Sequence, residues 1–277
     1  MKRRVAVVGH VEWIEFARVE RVPRRSEIVH ALDSWELPGG GGAVAAVQLA
    51  KLAGAATLFT ALGDDDLGRR AGRELGQLSL RLEAVFRATP QRRAFTHIDS
   101  GGERTITVIG DRLGPKGEDP LAWELLDGAD AVYFTAGDDL ALRRARAARV
   151  LIATARVLPQ LARARVALDA VVASDKDEGE RYAPGDLDPP PGLAVWTAGA
   201  DGGRYLTAEG GSGVFEAAPA PGPVVDSYGC GDSFAGGLAF GLGDGLDVDE
   251  ALALAARCGA ACLTGRGPYE GQLALAN

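Results

Sequence analysis

A segment near the C-terminus, residues 226–237 (DSYGCGDSFAGG), places an aspartate among glycines at the predicted start of a helix. Glycines let the backbone turn tightly and bring several N–H groups together, and a helix start adds a positive dipole end. These features predict an anion site made of backbone, without lysine. Asp232 would repel the anion, so its position makes sense if it removes a proton beside a transferring phosphoryl group. The alternative is a helix N-cap after a glycine turn.

Three other segments place glycines or carboxylates at predicted helix starts or after predicted strands. Four glycines at 39–42 open a predicted helix, and three aspartates at 64–66 follow a predicted strand and can cap the next helix. Residues 197–202 (TAGADG) form a T-x-G-x-x-G turn that can pass under the phosphates of a nucleotide. A simple hairpin turn is the alternative for that segment. The combination is more specific than any one part.

Several other chemistries lack their motifs. The chain has no G-x-x-x-x-G-K-[ST] and no G-x-S-x-G, and Gly9 is not followed by a dinucleotide-binding glycine pattern. His10, His30 and His97 are scattered without metal-ligand spacing, so we expect ordinary surface or lid histidines. Three cysteines form neither a disulfide framework nor a metal pattern, which favours a reducing cytoplasm.

The net charge and the length of the apolar runs argue against nucleic acids and membranes as binding partners. The formal net charge of −8 without a basic stripe argues against nucleic-acid binding. No apolar run approaches the length of a membrane span. The short apolar run at residues 5–8 is followed by Glu12 and Glu15, so it predicts a buried first strand rather than a signal peptide.

The elements that must position these residues alternate between strand and helix along the 277 residues, which predicts a mostly parallel sheet covered on both faces. Core strands are expected at 5–8, 57–62, 131–135, 150–153 and 166–170, and shorter strands at 195–197, 204–207 and 213–217. Helices are expected at 43–52, closed by Gly54, and at 232–240 and 249–263. Two strand-rich segments, 11–38 and 92–110, interrupt the rhythm and predict a small β-sheet lid with exposed strands on one domain spanning 1–277.

Residues 39–75 and 226–237 resemble the N-terminal and C-terminal signatures of the PfkB family of sugar and nucleoside kinases. The order of the parts between them also matches, so the resemblance covers nearly the whole chain. It implies a ribokinase-like three-layer αβα sandwich. It also implies transfer of the γ-phosphoryl group of ATP, with Mg²⁺, to a hydroxyl of a sugar or sugar-like molecule. In this family the lid covers the sugar and often serves dimerisation, which suggests a homodimer.

The resemblance assigns roles to individual positions. It implies that Asp232 is the catalytic base and that the N–H groups of Gly229, Cys230 and Gly231 form the anion hole. The two glycines of the N-terminal signature, Gly40 and Gly41, would let the hydroxyls of the substrate approach the backbone. The residues expected along ATP are Thr197, Gly199, Gly202, Gly229 and Gly231.

Besides Ser227, Tyr228 and Cys230 in the C-terminal signature, two departures from the family pattern concern the predicted metal and acceptor sites. The family often has an N-x-x-E motif that organises Mg²⁺ through water, and here Asp175 and Glu178 keep that spacing; a solvated acidic loop is the alternative. Relatives place an aspartate that binds sugar hydroxyls where this chain has Ile14. Glu12 lies on the same strand face and is the candidate to replace it, the alternative being an exposed lid carboxylate.

Two other functions stay open. A nucleoside kinase of the same family would need an aromatic slot for a base, for which Trp13, Trp35 and Phe95 are the candidates. A ligand-binding or sensor homologue that has lost turnover would explain Ile14 and the altered metal motif, although the intact Asp232 argues against it. The sequence leaves open the identity of the acceptor, the oligomeric state and activation by a monovalent cation.

Overall fold

The computed structural model describes residues 3–275. Its strands are β1 (Val5–Val8), β2 (Glu12–Arg18), β3 (Asp33–Gly39), β4 (Ala56–Gly63), β5 (Leu80–Arg87), β6 (Arg93–Ile98), β7 (Arg104–Ile109), β8 (Ala131–Phe134), β9 (Val150–Thr154), β10 (Ala170–Ser174), β11 (Leu193–Thr197), β12 (Gly203–Thr207) and β13 (Ser212–Phe215). Its α-helices are α1 (Gly41–Ala53), α2 (Asp66–Leu75), α3 (Asp139–Ala145), α4 (Leu158–Ala164), α5 (Cys230–Asp244), α6 (Val248–Cys262) and α7 (Gly267–Glu270).

The strands form two sheets. The larger has nine strands in the order β13-β12-β11-β10-β9-β8-β1-β4-β5, all parallel except at the β11–β12 and β12–β13 pairs. The smaller has the order β3-β2-β6-β7 and is built from the two segments expected to form the lid. The predicted α/β sandwich with a small second sheet is therefore confirmed.

The central strands are buried because helices cover both faces of the larger sheet. One apolar cluster joins the sheet to α1, α5 and α6, and a second joins the opposite face to α3 and α4. The entirely apolar run of β1 is buried on both sides, as its sequence predicts. Gly54 closes α1 in the left-handed conformation (φ 86°), as expected for a helix ending in glycine.

Two expectations about the strands are wrong, and one strand was not predicted. The strand expected at 166–170 lies at Ala170–Ser174, where the apolar run pairs in parallel with both β9 and β11. The edge strand β5 was not expected, because its polar and apolar residues are mixed. Strand β2 is not exposed: Trp13, Ile14 and Phe16 are all buried, since the smaller sheet packs against the rest of the molecule.

Among residues 3–275, no helix is long and apolar enough to cross a membrane.

Candidate active site

Asp232 lies in the first turn of α5, whose N-cap is Gly229. Gly229 is left-handed (φ 85°), and a Cβ atom there would lie 2.8 Å from Cβ of Pro268 and 2.9 Å from Cγ1 of Val44. Both the backbone conformation and the close packing therefore require glycine. The turn at Gly229 therefore sets the direction of the backbone N–H groups at the start of α5.

The backbone N–H groups of Gly229, Cys230 and Gly231 lie at this helix start. Within residues 3–275, they donate no hydrogen bond to another residue. Gly231 is exposed, and no heavy atom would lie within 4 Å of a Cβ there. Free N–H groups at a helix N-terminus suit a phosphate, so the geometry fits the predicted anion hole.

The Asp232 carboxylate faces the glycines of the N-terminal signature. Its Oδ1 would be only 2.7 Å from a Cβ at Gly41, so Gly41 allows the carboxylate to sit against the start of α1. Burial raises the pKa of Asp232 to about 7, and the nearby Glu180 carboxylate adds to the rise, while Arg156 opposes it. A carboxylate with that pKa can accept a proton near neutral pH.

Gly40 has a different environment from the one expected. Its N–H donates to the hydroxyl of Tyr228 (3.0 Å), a buried contact, so this N–H is not free for a substrate hydroxyl. Tyr228 also packs edge-on against Phe16 of the smaller sheet (ring centroids 5.2 Å apart). The approach of substrate hydroxyls to the backbone at Gly40 stays a prediction, but the N–H of Gly40 already donates to Tyr228.

Glu12 is buried beside the site, so an exposed lid carboxylate is excluded. Its Oε1 lies 2.6 Å from Nε of Arg92 and 3.7 Å from Nε2 of His10. Burial raises the pKa of Glu12, although Arg92 and Arg112 oppose the rise. Ile14 follows on the same strand face and is completely buried against Val44, Ala94 and Tyr228.

His10 is not the surface histidine expected from its isolation in the sequence. It is 6% exposed, and its Nδ1 lies 3.4 Å from the hydroxyl oxygen of Thr135. Burial and the charges of Arg112 and Arg92 hold the pKa of His10 well below its usual value, so the ring is neutral at pH 7. His10 and the two arginines are site residues that sequence reasoning missed.

In the acidic loop after β10, the two carboxylates expected to hold Mg²⁺ are paired with arginines at the surface. Glu178 is 89% exposed and pairs with Arg181, and Asp175 pairs with Arg204 (3.0 Å). Neither residue is among the groups that shift the pKa of Asp232, so their assignment to the metal stays a prediction.

Asp177 and Glu180 have the same i, i+3 spacing, and Glu180 is close enough to Asp232 to raise its pKa. Arg156 lies between them, 2.6 Å from Asp177 and 2.9 Å from Glu180. Residues 3–275 contain no group of three or more His, Cys, Asp or Glu side chains that could enclose a metal ion. Two carboxylates beside a phosphate site nevertheless suit Mg²⁺, which keeps most of its waters and binds substrate phosphates.

The turn from Thr197 to Gly202 joins β11 to the antiparallel strand β12. The Thr197 hydroxyl donates to the carbonyl of Ala173 (3.2 Å), and Gly199 and Gly202 have φ angles of 64° and 75°. A Cβ at Gly202 would lie 2.1 Å from the carbonyl oxygen of Phe215, so glycine is required. Because β10 and β11 are parallel neighbours, the turn lies beside the acidic loop at the same edge of the sheet.

The aromatic residues proposed for a base slot do not line the site. Phe95 pairs in register with Glu15 and stacks edge-on with His97, on the face of the smaller sheet opposite Glu12 and Ile14. Trp13 lies on that same opposite face, under the guanidinium of Arg70. The prediction that Phe95 contacts the acceptor is therefore wrong.

Trp35 is engaged elsewhere. It stacks on Phe16 (4.9 Å between centroids) with Arg266 over its ring, and it lines a cavity of about 640 Å³ together with Lys51 and Tyr269. That cavity does not include Asp232.

The chain matches the family described as pfkB family carbohydrate kinase over residues 2–176 and 189–274. It is 32% identical over 283 residues to the ATP-dependent ribose-1-phosphate kinase of Halopiger xanaduensis, with 93% of this chain and 90% of that protein covered.

Solved structures show the same fold. The ribokinase of Thermotoga maritima has a TM-score of 0.77 at 19% identity, with 98% of this chain and 96% of that chain covered. The ribokinase of Arabidopsis thaliana, solved with ribose and ATP, has a TM-score of 0.73 at 18% identity, with 98% and 96% covered. The match along the chain, the relative from Halopiger and the shared fold lead to one conclusion: the chain belongs to the pfkB family of carbohydrate kinases and is an enzyme of that class.

Proposed function

We propose that the protein transfers the γ-phosphoryl group of ATP to a hydroxyl of a ribose-like sugar or sugar phosphate, with Asp232 as the base. The observation that carries this proposal is the Asp232 carboxylate, with a pKa of about 7, next to the free N–H groups at the start of α5. A base and an anion site in contact are what phosphoryl transfer to an alcohol requires.

In the proposed reaction the acceptor hydroxyl lies against Asp232. Its proton moves to the carboxylate as the oxygen attacks the γ-phosphorus, and the bond to the β-phosphate oxygen breaks to release ADP. The N–H groups of Gly229, Cys230 and Gly231 donate to the phosphoryl oxygens and stabilise the charge that develops there. The catalytic contribution of the protein is then positioning and charge stabilisation.

Magnesium, when bound with ATP, offsets negative charge on the phosphates. Asp177 and Glu180 are the residues that would hold its water shell, in place of Asp175 and Glu178. Arg156 forms ion pairs with both carboxylates, so its positive charge weakens the repulsion between them and the phosphates of the nucleotide.

For the nucleotide, the support is the position of the glycine turn that includes Thr197, Gly199 and Gly202. It lies at the carboxyl end of β11, beside the acidic loop, where ligands bind in open α/β sheets. The close approach of the backbone at Gly202 leaves no room for a side chain. We propose that the turn passes along the phosphates of ATP.

For the acceptor, the support comes from Glu12 and from the relatives. Glu12 lies beside His10 and Gly40 and could accept hydrogen bonds from sugar hydroxyls. The relative from Halopiger is named for ribose 1-phosphate, and the Arabidopsis ribokinase was solved with ribose. No observation favours a nucleoside, because Trp13, Trp35 and Phe95 are engaged elsewhere, and the arrangement around Asp232 argues against a protein without turnover.

We also propose that two copies pair through the smaller sheet. Strand β7 is exposed along its whole length and carries Ile106, Val108 and Ile109, which are 39%, 44% and 43% exposed. An exposed apolar edge strand favours pairing with another chain. Analytical ultracentrifugation of the wild-type protein should show a dimer. Replacing both Ile106 and Val108 by aspartate should give a monomer. A monomeric wild-type protein would contradict the proposal.

The function is tested by measuring ADP formation with purified protein, ATP and Mg²⁺ over pentoses, pentose phosphates and nucleosides. We expect turnover with a ribose-like acceptor and none with nucleosides. Turnover of nucleosides alone would contradict the acceptor class. Glu12→Ala should raise the KM of the acceptor about tenfold or more without changing the KM of ATP, as expected when a buried acceptor of hydroxyl hydrogen bonds is removed.

A further inference from the structure

Two arginines meet at one end of the smaller sheet. Arg92 comes immediately before β6, and Arg112 comes three residues after the end of β7. Strands β6 and β7 are antiparallel with Arg93 opposite Ile109, so the start of one lies beside the end of the other. Both guanidinium groups are close enough to Glu12 and His10 to shift the pKa of each.

At this end of the smaller sheet, the positive charge of Arg92 and Arg112 exceeds the negative charge of Glu12. Arg92 contacts Glu12, but Arg112 has no carboxylate within 4 Å and no hydrogen bond from its side chain to any other residue in 3–275. The Nε atom of Arg112 is shielded from solvent and has no hydrogen-bond acceptor. His10 is neutral, so the negative charges that act on Arg112 are those of Glu12 and Asp232, and neither lies within 4 Å of it. A buried charge without a partner is destabilising, and an anionic ligand would relieve it.

The unmatched charge lies away from the glycine turn that is proposed to pass along the phosphates of ATP. His10 follows β1 and Glu12 begins β2, whereas the glycine turn follows β11. Strand β1 is separated from β11 by four steps of the sheet, through β8, β9 and β10. Four steps of neighbouring strands correspond to about 19 Å. Arg156 also acts on His10, Glu12 and Arg112, but it is already paired with Asp177 and Glu180.

We propose that Arg92 and Arg112 bind a phosphate group that the acceptor already carries, so that the substrate is a sugar phosphate and the product a sugar bisphosphate. This inference rests on the proposed function and specifies its acceptor. Arginine suits the role because its planar group donates two parallel hydrogen bonds to phosphate oxygens. Ile14 supplies no hydrogen-bond acceptor, so binding depends less on sugar hydroxyls and more on this charge.

Steady-state kinetics with ribose 1-phosphate and with ribose test the assignment. The variants are Arg112→Gln and Arg92→Gln, and the matched control is Arg93→Gln, which removes a neighbouring arginine on the opposite strand face that pairs with Glu15. We expect the wild type to prefer ribose 1-phosphate. Arg112→Gln and Arg92→Gln should each lower kcat/KM for it about 10- to 100-fold, as for a lost charged hydrogen bond. For ribose, the effect of Arg112→Gln should be under about threefold, and Arg93→Gln should change neither substrate.

Equal losses with both acceptors in Arg112→Gln, or a rise in the KM of ATP instead, would overturn the inference. Calorimetry separates this inference from the proposed function. Ribose 1-phosphate should bind the wild type and bind Arg112→Gln about tenfold or more weakly. Binding without turnover would contradict the proposed function and support the phosphate subsite, whereas turnover of ribose without binding of ribose 1-phosphate would do the reverse. Tighter binding of ribonate than of ribose 1-phosphate would overturn the choice of phosphate over carboxylate.

Discussion

Replacing Asp232 by asparagine should stabilise the folded protein, because the carboxylate is held in an environment that disfavours its charge. Its pKa is raised to about 7 in the folded state, first by burial and then by Glu180. An unfolded aspartate has a pKa of about 3.9. The folded state therefore binds a proton more tightly than the unfolded state, and stability falls as pH rises from about 4 to 7.

The size of the effect follows from that difference. Roughly three pH units correspond to about 4 kcal/mol of unfolding free energy above pH 7. Asparagine has nearly the same shape and no charge, so it removes this penalty. At about 2 °C per kcal/mol for a chain of this size, Asp232→Asn should raise the Tm at pH 8 by up to roughly 8 °C.

Thermal unfolding of both proteins at pH 5 and pH 8 measures the effect, with ATP and acceptor absent. The free-energy gap should be about 1.5 kcal/mol at pH 5 and about 4 kcal/mol at pH 8. A gap that does not change with pH would refute the reasoning, because it would show that the asparagine acts through packing. A variant less stable than wild type at pH 8 would mean that the carboxylate is favourably solvated or paired.

Three further changes test the surroundings of Asp232. Glu180→Gln should lower the pKa of Asp232, which moves the acidic limb of the kcat/KM profile to lower pH, and should raise the Mg²⁺ concentration that gives the half-maximal rate. Glu178→Gln should do neither. Equal effects of the two changes would contradict the assignment of Glu180, rather than Glu178, to the site. Tyr228→Phe should lower the unfolding free energy by about 1–3 kcal/mol in chemical denaturation, because the buried N–H of Gly40 loses its acceptor; an unchanged value would show that water replaces the hydroxyl. Gly202→Ala should raise the KM of ATP more than that of the acceptor, and an unchanged KM of ATP would remove the turn from the nucleotide site.

The fold and the place of Asp232 at a helix start could be predicted because their signals are local. The apolar runs of the central strands and the glycines before Asp232 act within a few residues of each other. Gly229 illustrates the point, since its left-handed conformation at a helix start is a property of one short segment.

The acidic loop and the lid were harder to predict because a shift of one or two residues changes which side chains face the site. Asp175 with Glu178 and Asp177 with Glu180 have the same spacing, and no local pattern separates them. Phe95 failed for a related reason, because adjacent residues of a strand face opposite ways. Strand pairing alone shows that Ala94, not Phe95, shares the face of Ile14.

The contacts of Glu12 could not be predicted from the sequence because its partners come from distant segments. Arg92 is 80 residues away, and Arg112 reaches the same place only because β6 and β7 form a hairpin. The sequence identified Glu12 as the residue to examine, but its buried pairing with an arginine required the structure. The same holds for His10, which only the packing of the two sheets shows to be buried.

The central claim is that Asp232 removes the proton of a sugar hydroxyl during phosphoryl transfer from ATP. Phosphorus-31 NMR of wild-type protein with ATP, Mg²⁺ and ribose 1-phosphate follows that transfer directly. We predict a new phosphate monoester resonance of the sugar, whose area shows one phosphate transferred for each ADP formed. For Asp232→Asn we predict that the rate of this transfer is about 100-fold or more lower, as expected on loss of a general base. Transfer by Asp232→Asn at close to the wild-type rate, or ADP accumulating with inorganic phosphate and no phosphorylated sugar, would contradict the claim.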